Sequence, residues 1–533
     1  MHPLRITVGI TSLLAAWTLA AGGRAEKIDD PAQAPAKPAL PAGERVRDPE
    51  DADPEGTVPR RAPPRAPAAA AAAGFKGSLS GLFSTQLSFD TRLNDGREHA
   101  AEWRNSLYLK VAVEPASWLR AVVGGRFRHF TAVERNESDA PFLLFNGERP
   151  RHFFEGDLWE AHLDLYLPGG IDLRIGNQIF HWGSADFLSP TDVLNPPDLR
   201  FGIYGEPDEY KLPVFAASAT WRGRSVNVTG AWIPVVTPGR AFLFGHDFGL
   251  LQPRAYFAFP DLRPVLPDPL SDGLQRLMFD GSVPSRSFAN SQGGVRIWGH
   301  GRGIDWGLTY AASYEPFPAV TFDRDLGAAM AAALGPAPDL PRAAALAAQA
   351  VQRAAGGEPA ALASYQRRQV MGFDLTVPIG PLLGRLDAAY SPEQTVYLLA
   401  GEGPLLAPVR RPAVTYTAGL EYRHEEDFFI LVQWIHLITV TRPGDTLFLL
   451  KPNVLAIFFD VRYRILEGDL EFAVSGLGGV SQGDWMLTAT VAYKLTGKLT
   501  LLAGASFFEG SKEGPGGYFD GNDFVFVRLR VGF

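Results

Sequence analysis

The sequence predicts an all-β protein: a transmembrane antiparallel up-and-down β-barrel of about 18 strands, with 16 as the alternative. Three observations predict it. Segments of roughly 10–13 residues, the length a tilted strand needs to cross a bilayer, alternate apolar and polar side chains. Tight Gly/Pro turns and long segments take turns in joining them. Beyond the amino-terminal region no apolar run is long enough for a membrane-spanning helix. A mean hydropathy of -0.03 fits strands that spend every second residue on a polar group. The net charge of -8 argues against a nucleic-acid partner, and zero cysteine excludes a disulfide framework, thiolate chemistry and a lipid-modified cysteine.

Residues 1–25 read as a secretory signal peptide. Met1 to Arg5 is a short basic region, Ile6 to Ala21 is apolar, and Gly23-Arg24-Ala25 offers a small-x-small cleavage site. Export through the inner membrane follows from that reading. Residues 26–74 are rich in Pro and Ala, carry both charges and close on Ala68–Ala73, so they cannot bury a core. They are expected to form a disordered periplasmic tail, either a spacer or a tether to a periplasmic partner or the cell wall. The tail is too short and simple to be the folded plug of a TonB-dependent transporter.

The barrel is expected over 75–533, with strands near 77–91, 102–114, 117–131, 156–167, 170–182, 212–222, 224–234, 289–300 and 303–315. They continue near 366–378, 380–392, 411–424, 426–439, 454–465, 468–479, 483–495, 498–509 and 522–533. Long segments at 132–155, 183–211, 235–288 and 316–365 alternate with turns such as Pro115-Ala116 and Thr496-Gly497, as extracellular loops alternate with periplasmic turns. Face assignments agree. Trp159, Ala161, Leu163, Leu165 and Leu167 oppose Glu160, His162, Asp164 and Tyr166. Likewise Val414, Tyr416, Ala418, Leu420 and Tyr422 oppose Thr415, Thr417, Gly419, Glu421 and Arg423. The first face of each is expected against lipid, and the charged face in a wet lumen. Trp103, Trp118, Trp159, Trp182, Trp221, Trp232, Trp298, Trp306 and Trp485 fall near strand ends and are expected in aromatic girdles.

In the last strand Val525, Val527, Leu529, Val531 and Phe533 oppose Arg528 and Arg530. This resembles the closing strand of bacterial outer-membrane barrels. The resemblance implies that Phe533 is read by the barrel-assembly machinery.

The densest motif runs from Arg174-Ile-Gly-Asn-Gln178 through Trp182-Gly183 and Asn195-Pro-Pro-Asp198 to Arg200, then Lys211-Leu-Pro-Val214. Over about 40 residues it resembles a poorly characterised family of large proteobacterial outer-membrane barrels. That resemblance implies an outer-membrane protein suspected of transport, with no assigned substrate. Physically, Arg174 and Gln178 share an inward face, while Asp192, Asn195 and Asp198 are short acceptors in a Pro-stiffened loop, suited to holding Arg174 or Arg200. Either these pairs pin the loop to the wall, or the loop folds inward as a constriction. Arg126, Arg128, Glu160 and Asp164 join Arg174, Gln178, Asp192, Asn195, Asp198 and Arg200 as candidate pore residues. Other lumen candidates are Arg120, Arg462, Arg464, Arg528 and Arg530, against Glu421, Asp460 and Glu471.

Segment 316–365 carries two Ala-rich stretches, Asp325–Leu334 and Arg342–Ala355, split by Gly335-Pro-Ala-Pro338, and predicts an extracellular helical hairpin, a passive cap or a gate. Segment 235–288 is Phe-rich (Phe242, Phe244, Phe248, Phe257, Phe259) and reads as an apolar lid or a self-packed loop. No metal-spaced His cluster, nucleophile elbow or phosphate-binding loop is present, so no enzyme activity and no cofactor or metal is expected. The expected function is a channel or transporter passing small solutes, anionic or amphipathic, across the outer membrane. The alternative is a non-conducting assembly, structural or adhesion barrel. Lipid and a small-molecule solute are the expected partners.

Overall fold

The computed structural model describes residues 76–91, 102–132, 151–201, 209–241, 248, 283–334, 339–355, 361–400, 408–448, 451–511, 514–520 and 522–533. The expected signal peptide and tail lie outside them, as do Phe242, Phe244, Phe257 and Phe259. The chain forms β1 (Lys76–Asp90), β2 (Glu102–Ala116), β3 (Leu119–Ala132), β4 (Arg151–Leu167), β5 (Ile171–Gln178), β6 (Val214–Arg222) and β7 (Val226–Ile233). These are followed by β8 (Gln292–Gly301), β9 (Ile304–Tyr314), β10 (Ala319–Phe322), β11 (Ala361–Ser364), β12 (Arg367–Ile379), β13 (Leu382–Ala400) and β14 (Pro408–His424). The last are β15 (Phe428–Thr439), β16 (Thr446–Phe448), β17 (Asn453–Ile465), β18 (Leu470–Gly479), β19 (Asp484–Thr496), β20 (Leu499–Gly510) and β21 (Phe524–Gly532).

Eighteen of these strands close a single antiparallel wall, each hydrogen-bonded to the next; β9 passes to β12 and β15 to β17. Closure is made by β1 against β21, in register from Leu82 opposite Gly532 to Asp90 opposite Phe524. The Gly81 N–H donates to the Phe533 carbonyl at 2.9 Å, and the Phe533 N–H returns the bond at 3.0 Å. A closed ladder pairs each wall strand with a neighbour on both sides, the condition for crossing hydrocarbon. Outside the wall, β10 and β11 form a short hairpin carrying α1 (Arg324–Leu334) and α2 (Leu340–Ala355), while β16 extends β13.

Leu87, Val123, Leu163, Ile175, Leu420 and Val527 lie exposed on the outer face, while Gln86, Arg128, Asp164, Thr417, Glu421 and Arg528 are buried inside. The period-2 reading is therefore correct for most strands, and three corrections apply. First, Trp159 points inward and is 3 % exposed. A β-bulge there, marked by the register shift opposite Gly124 and Gly125, sets two inward residues side by side and inverts the alternation toward Arg151. Second, Trp182 is also buried inside, because β5 stops at Gln178 and Trp182 belongs to the loop that follows. Trp103, Trp118, Trp221, Trp232 and Trp485 do face outward, whereas Trp298 shares the inner face of β8 with Arg296. Third, the alternation of short and long connections has an exception: β18 and β19 are joined on the long-loop rim by residues 480–483 alone.

Candidate functional site

The described residues of the loop between β5 and β6, 179–201 and 209–213, leave the wall and cross the lumen. Asn195 clips its two ends together: its Oδ1 accepts the Phe180 N–H at 2.7 Å, and its Nδ2 donates to the carbonyls of Leu212 (2.8 Å) and Gln178 (3.2 Å). Phe180 and Trp182 pack edge to face on Val214, Ala216, Ile233 and Ala311. Gly183 follows with φ +100°, and a Cβ there would collide with Ser189 Oγ, Thr191 Oγ1 and Asp387 Oδ2, so the turn calls for glycine. The far end is tied to β13 and β15. Ser184 Oγ donates to the Leu386 carbonyl (3.2 Å), Arg385 donates to Asp186 (2.8 Å), and the Phe187 N–H donates to Gln433 Oε1 (2.9 Å). The Phe187 ring stacks on Phe458 of β17 at 4.0 Å.

Returning, the loop enters a charged cluster against β2–β4. Arg128, whose side chain has no exposed surface, meets Asp157 at 3.1 Å, Asp198 at 3.2 Å and Glu155 at 3.3 Å. Arg200 donates to Asp198 at 2.7 and 2.8 Å and pairs with Glu155. Arg240, from the next loop, holds Asp157 at 2.7 Å, and its backbone is bonded to Pro197 and Leu199. Arg126 lies 4.0 Å over the Trp159 ring and 3.9 Å from Glu209. Burial works to raise the Asp198 carboxyl, but Arg200 and Arg128 outweigh it and hold Asp198 well below the usual carboxylate range. Glu209 is also held low against its burial, by Arg104, Arg126, Arg128 and Arg528. Arg528, Gln86, Arg104 and Phe130 form one row across β21, β1, β2 and β3; Arg104 (3.1 Å) and Arg528 (2.8 Å) both donate to Gln86 Oε1.

The adjoining inner wall is apolar toward the long-loop rim, which the expectation of a wet lumen did not include. Leu431, Ile435, Phe458, Leu477, Met486, Leu502, Phe508, Phe524 and Phe526 are buried inside β15–β21 against Phe187, Leu188, Phe201, Phe248 and Phe317 of the loops. Loops folded inward need apolar partners, and these strands supply them toward the long-loop rim. On β21 the change is abrupt: Phe524 and Phe526 share the inner face with Arg528.

The structure thus gathers Arg126, Arg128, Asp198 and Arg200 from the sequence-derived candidates. The others lie apart. Arg174 is bound to Asp164 at 2.6 Å, nearer the turn rim, with His162 3.1 Å from the same carboxylate. Of the expected Arg–Asp pairs, Arg200–Asp198 forms, while Arg174 takes a wall partner. Glu160 accepts from Tyr108 and pairs with Lys110 at 3.0 Å. Gln178 donates to the Ala216 carbonyl at 3.0 Å, and Asp192 pairs with Lys211. Elsewhere Arg385–Glu421 and Arg464–Glu471, both 2.6 Å, staple neighbouring strands. Arg104, Glu155, Asp157, Glu209, Arg240 and Asp387 were not among the candidates. Alternation along β2 pointed to Arg104, and the bulge concealed Glu155 and Asp157. Nothing local marks Arg240 or Glu209.

No family model and no curated protein sequence matches the chain. Among solved structures, the crystal structure of Acinetobacter baumannii OccAB1 aligns with a TM-score of 0.46 at 8% identity, covering 86% of this chain and 96% of that one. Pseudomonas aeruginosa OccK5 (OpdH) aligns at 0.42 and 10% identity, covering 86% and 97%. Salmonella typhi OmpF in complex with daunomycin aligns at 0.37 and 9% identity, covering 86% and 98%. These are distant likenesses in barrel architecture, and the architecture itself rests on this chain's own closed strand pairing.

Proposed function

We propose that this protein is a bacterial outer-membrane channel for small amphipathic anions, with residues 179–201 and 209–213 of the loop between β5 and β6 as its constriction. The apolar outer face of a closed barrel supports the membrane location, since such a surface is stable only against hydrocarbon. One observation carries the solute reading: inside the wall, a guanidinium row lies directly beside a Phe-rich surface. Where the loop meets β21 and β1–β4, the described guanidiniums Arg104, Arg126, Arg128, Arg200, Arg240 and Arg528 stand against the carboxylates Glu155, Asp157, Asp198 and Glu209. A confined row of guanidiniums favours anions, and the adjoining rings favour an apolar tail. The test is single-channel current from refolded protein in a planar bilayer under a salt gradient. An anion-selective reversal potential is expected, shifting toward cation selectivity in Arg104→Gln/Arg126→Gln/Arg528→Gln. Silence from protein shown to be folded overturns the channel reading. It would favour the second one, a non-conducting barrel, which the apolar packing of loops inside the wall supports.

A further inference from the structure

Asp387 is an acidic residue in the wrong surroundings for a carboxylate. It has no exposed surface, and among the described residues its Oδ1 accepts no hydrogen bond. Its cross-strand neighbour on β12 is another acid, Asp374, directly opposite in register, and Asp374 holds the nearby cation, Arg296, at 2.7 Å. On β14 the register partner is Thr417, which is neutral. Arg385, two residues along the same inner face, is committed to Asp186, Glu421 and the Ser184 carbonyl. Like charges opposite one another across a ladder repel, and a buried carboxylate without a cation takes up a proton instead.

Hydrogen counting around Ser189 points the same way. Its hydroxyl has one proton but lies 2.9 Å from the Trp182 carbonyl, which can only accept, and 2.5 Å from Asp387 Oδ2. Both contacts are satisfied when Ser189 donates to Trp182 and Asp387 donates its own proton to Ser189 Oγ. The Ser184 N–H adds a longer contact to the same carboxyl oxygen at 3.3 Å, and the Thr191 hydroxyl lies 3.3 Å from Ser189 Oγ, which leaves Ser189 with one proton for the Trp182 carbonyl and Asp387. Every one of these partners belongs to the loop that crosses the lumen.

We propose that Asp387, carried in its protonated form, is the positioning residue that holds the 182–191 segment across the lumen, and that loss of its proton to bulk water releases it. The proposal rests on the channel reading only for its effect on current. Ionisation removes the hydrogen bond that Asp387 donates and sets its carboxylate against Asp374 across the ladder, and release exposes that carboxylate to water. The ratio of released to held loop therefore grows about tenfold per pH unit once Asp387 titrates.

The test compares the full-length protein with Asp387→Asn, whose amide donates to Ser189 at every pH. Three readouts are taken between mildly acid and mildly alkaline pH. Infrared spectra of the wild type should show a protonated-carboxyl carbonyl stretch that is absent from Asp387→Asn. Hydrogen exchange at the Ser184 and Phe187 amides, corrected for intrinsic rate, should accelerate with pH in the wild type and stay flat in Asp387→Asn. Bilayer current should rise with pH in the wild type alone. Ser189→Ala, which keeps the acid and removes its acceptor, should give fast exchange at all pH values, and it stands in if Asp387→Asn fails to fold. Absence of the carbonyl band, or the same pH profile of exchange in wild type and Asp387→Asn, overturns the proposal. Silence in the bilayer with the expected infrared and exchange results overturns the channel reading and leaves the latch standing.

Discussion

Arg128 shows what a charge inside this barrel requires. Its fully buried side chain touches Glu155, Asp157 and Asp198, from the wall and the crossing loop at once. Taking Asp198 from the group leaves three guanidiniums facing two carboxylates, and breaking a buried ion pair costs about 3–5 kcal/mol. Asp198→Asn is therefore expected to destabilise the protein by that order at neutral pH, measured by urea unfolding from lipid vesicles followed by tryptophan fluorescence. The pH dependence has a defined sign. The folded Asp198 carboxyl lies below its ordinary value of 3.8, so its contribution is complete above that value and lost as pH falls through the depressed one. Wild type and Asp198→Asn should thus differ by a constant amount from neutral pH to about pH 5 and converge only in strong acid. Alternation alone identified Arg126 and Arg128 as inward. It did not reveal Asp157 as their neighbour, because one extra residue, Trp159, lies between that aspartate and the regular part of β4.

That residue is better understood as part of its strand. The bulge turns the Trp159 ring inward beneath Arg126, 4.0 Å away, a stack worth about 0.5–2 kcal/mol. Deleting Trp159 removes the bulge while Asp157 and Glu160 both stay inward. The wall is expected to assemble normally, seen as a heat-modifiable band in gel electrophoresis, with a smaller anion preference than the wild type. Failure to assemble would assign the bulge to folding and not to the lumen. A second element-scale expectation concerns α1 and α2. Arg353 of α2 pairs with Asp325 at 2.8 Å and with Asp323 beside α1, and Ala329, Ala343 and Ala350 are buried. These contacts are internal to the hairpin. Replacing 326–355 by a short linker should leave melting and open probability unchanged, and a rise in open probability would make the hairpin a gate. Both helices were legible within one or two residues, since alanine favours helix and the prolines that divide them are local signals.

At the scale of the whole molecule, a ring of 18 strands has room for an aqueous interior, and here folded loops occupy much of it. The wall is two-sided in a second sense: charged within β1–β4 and β12–β14, apolar within the upper part of β15–β21. The anion-selective reversal potential expected above belongs to this scale, because it depends on the summed field along the pathway and weakens as salt screens it.

The chain's own pattern determined the closed barrel, its strand count and most lipid-facing residues, since period-2 alternation and turn chemistry act between neighbours in sequence. The Arg200–Asp198 pair was legible because its members are close along the chain, whereas Asn195, read as an acceptor for a turn or an arginine, instead ties together backbone 15 to 17 residues away. Only the tertiary structure decided that residues near 184 meet residues near 387, that Arg240 completes a cluster begun at Arg128, and that six wall strands turn an apolar face inward. Those contacts are set by where a long loop travels across the barrel. An inward Phe and a lipid-facing Phe obey the same alternation, and only the packing distinguishes them.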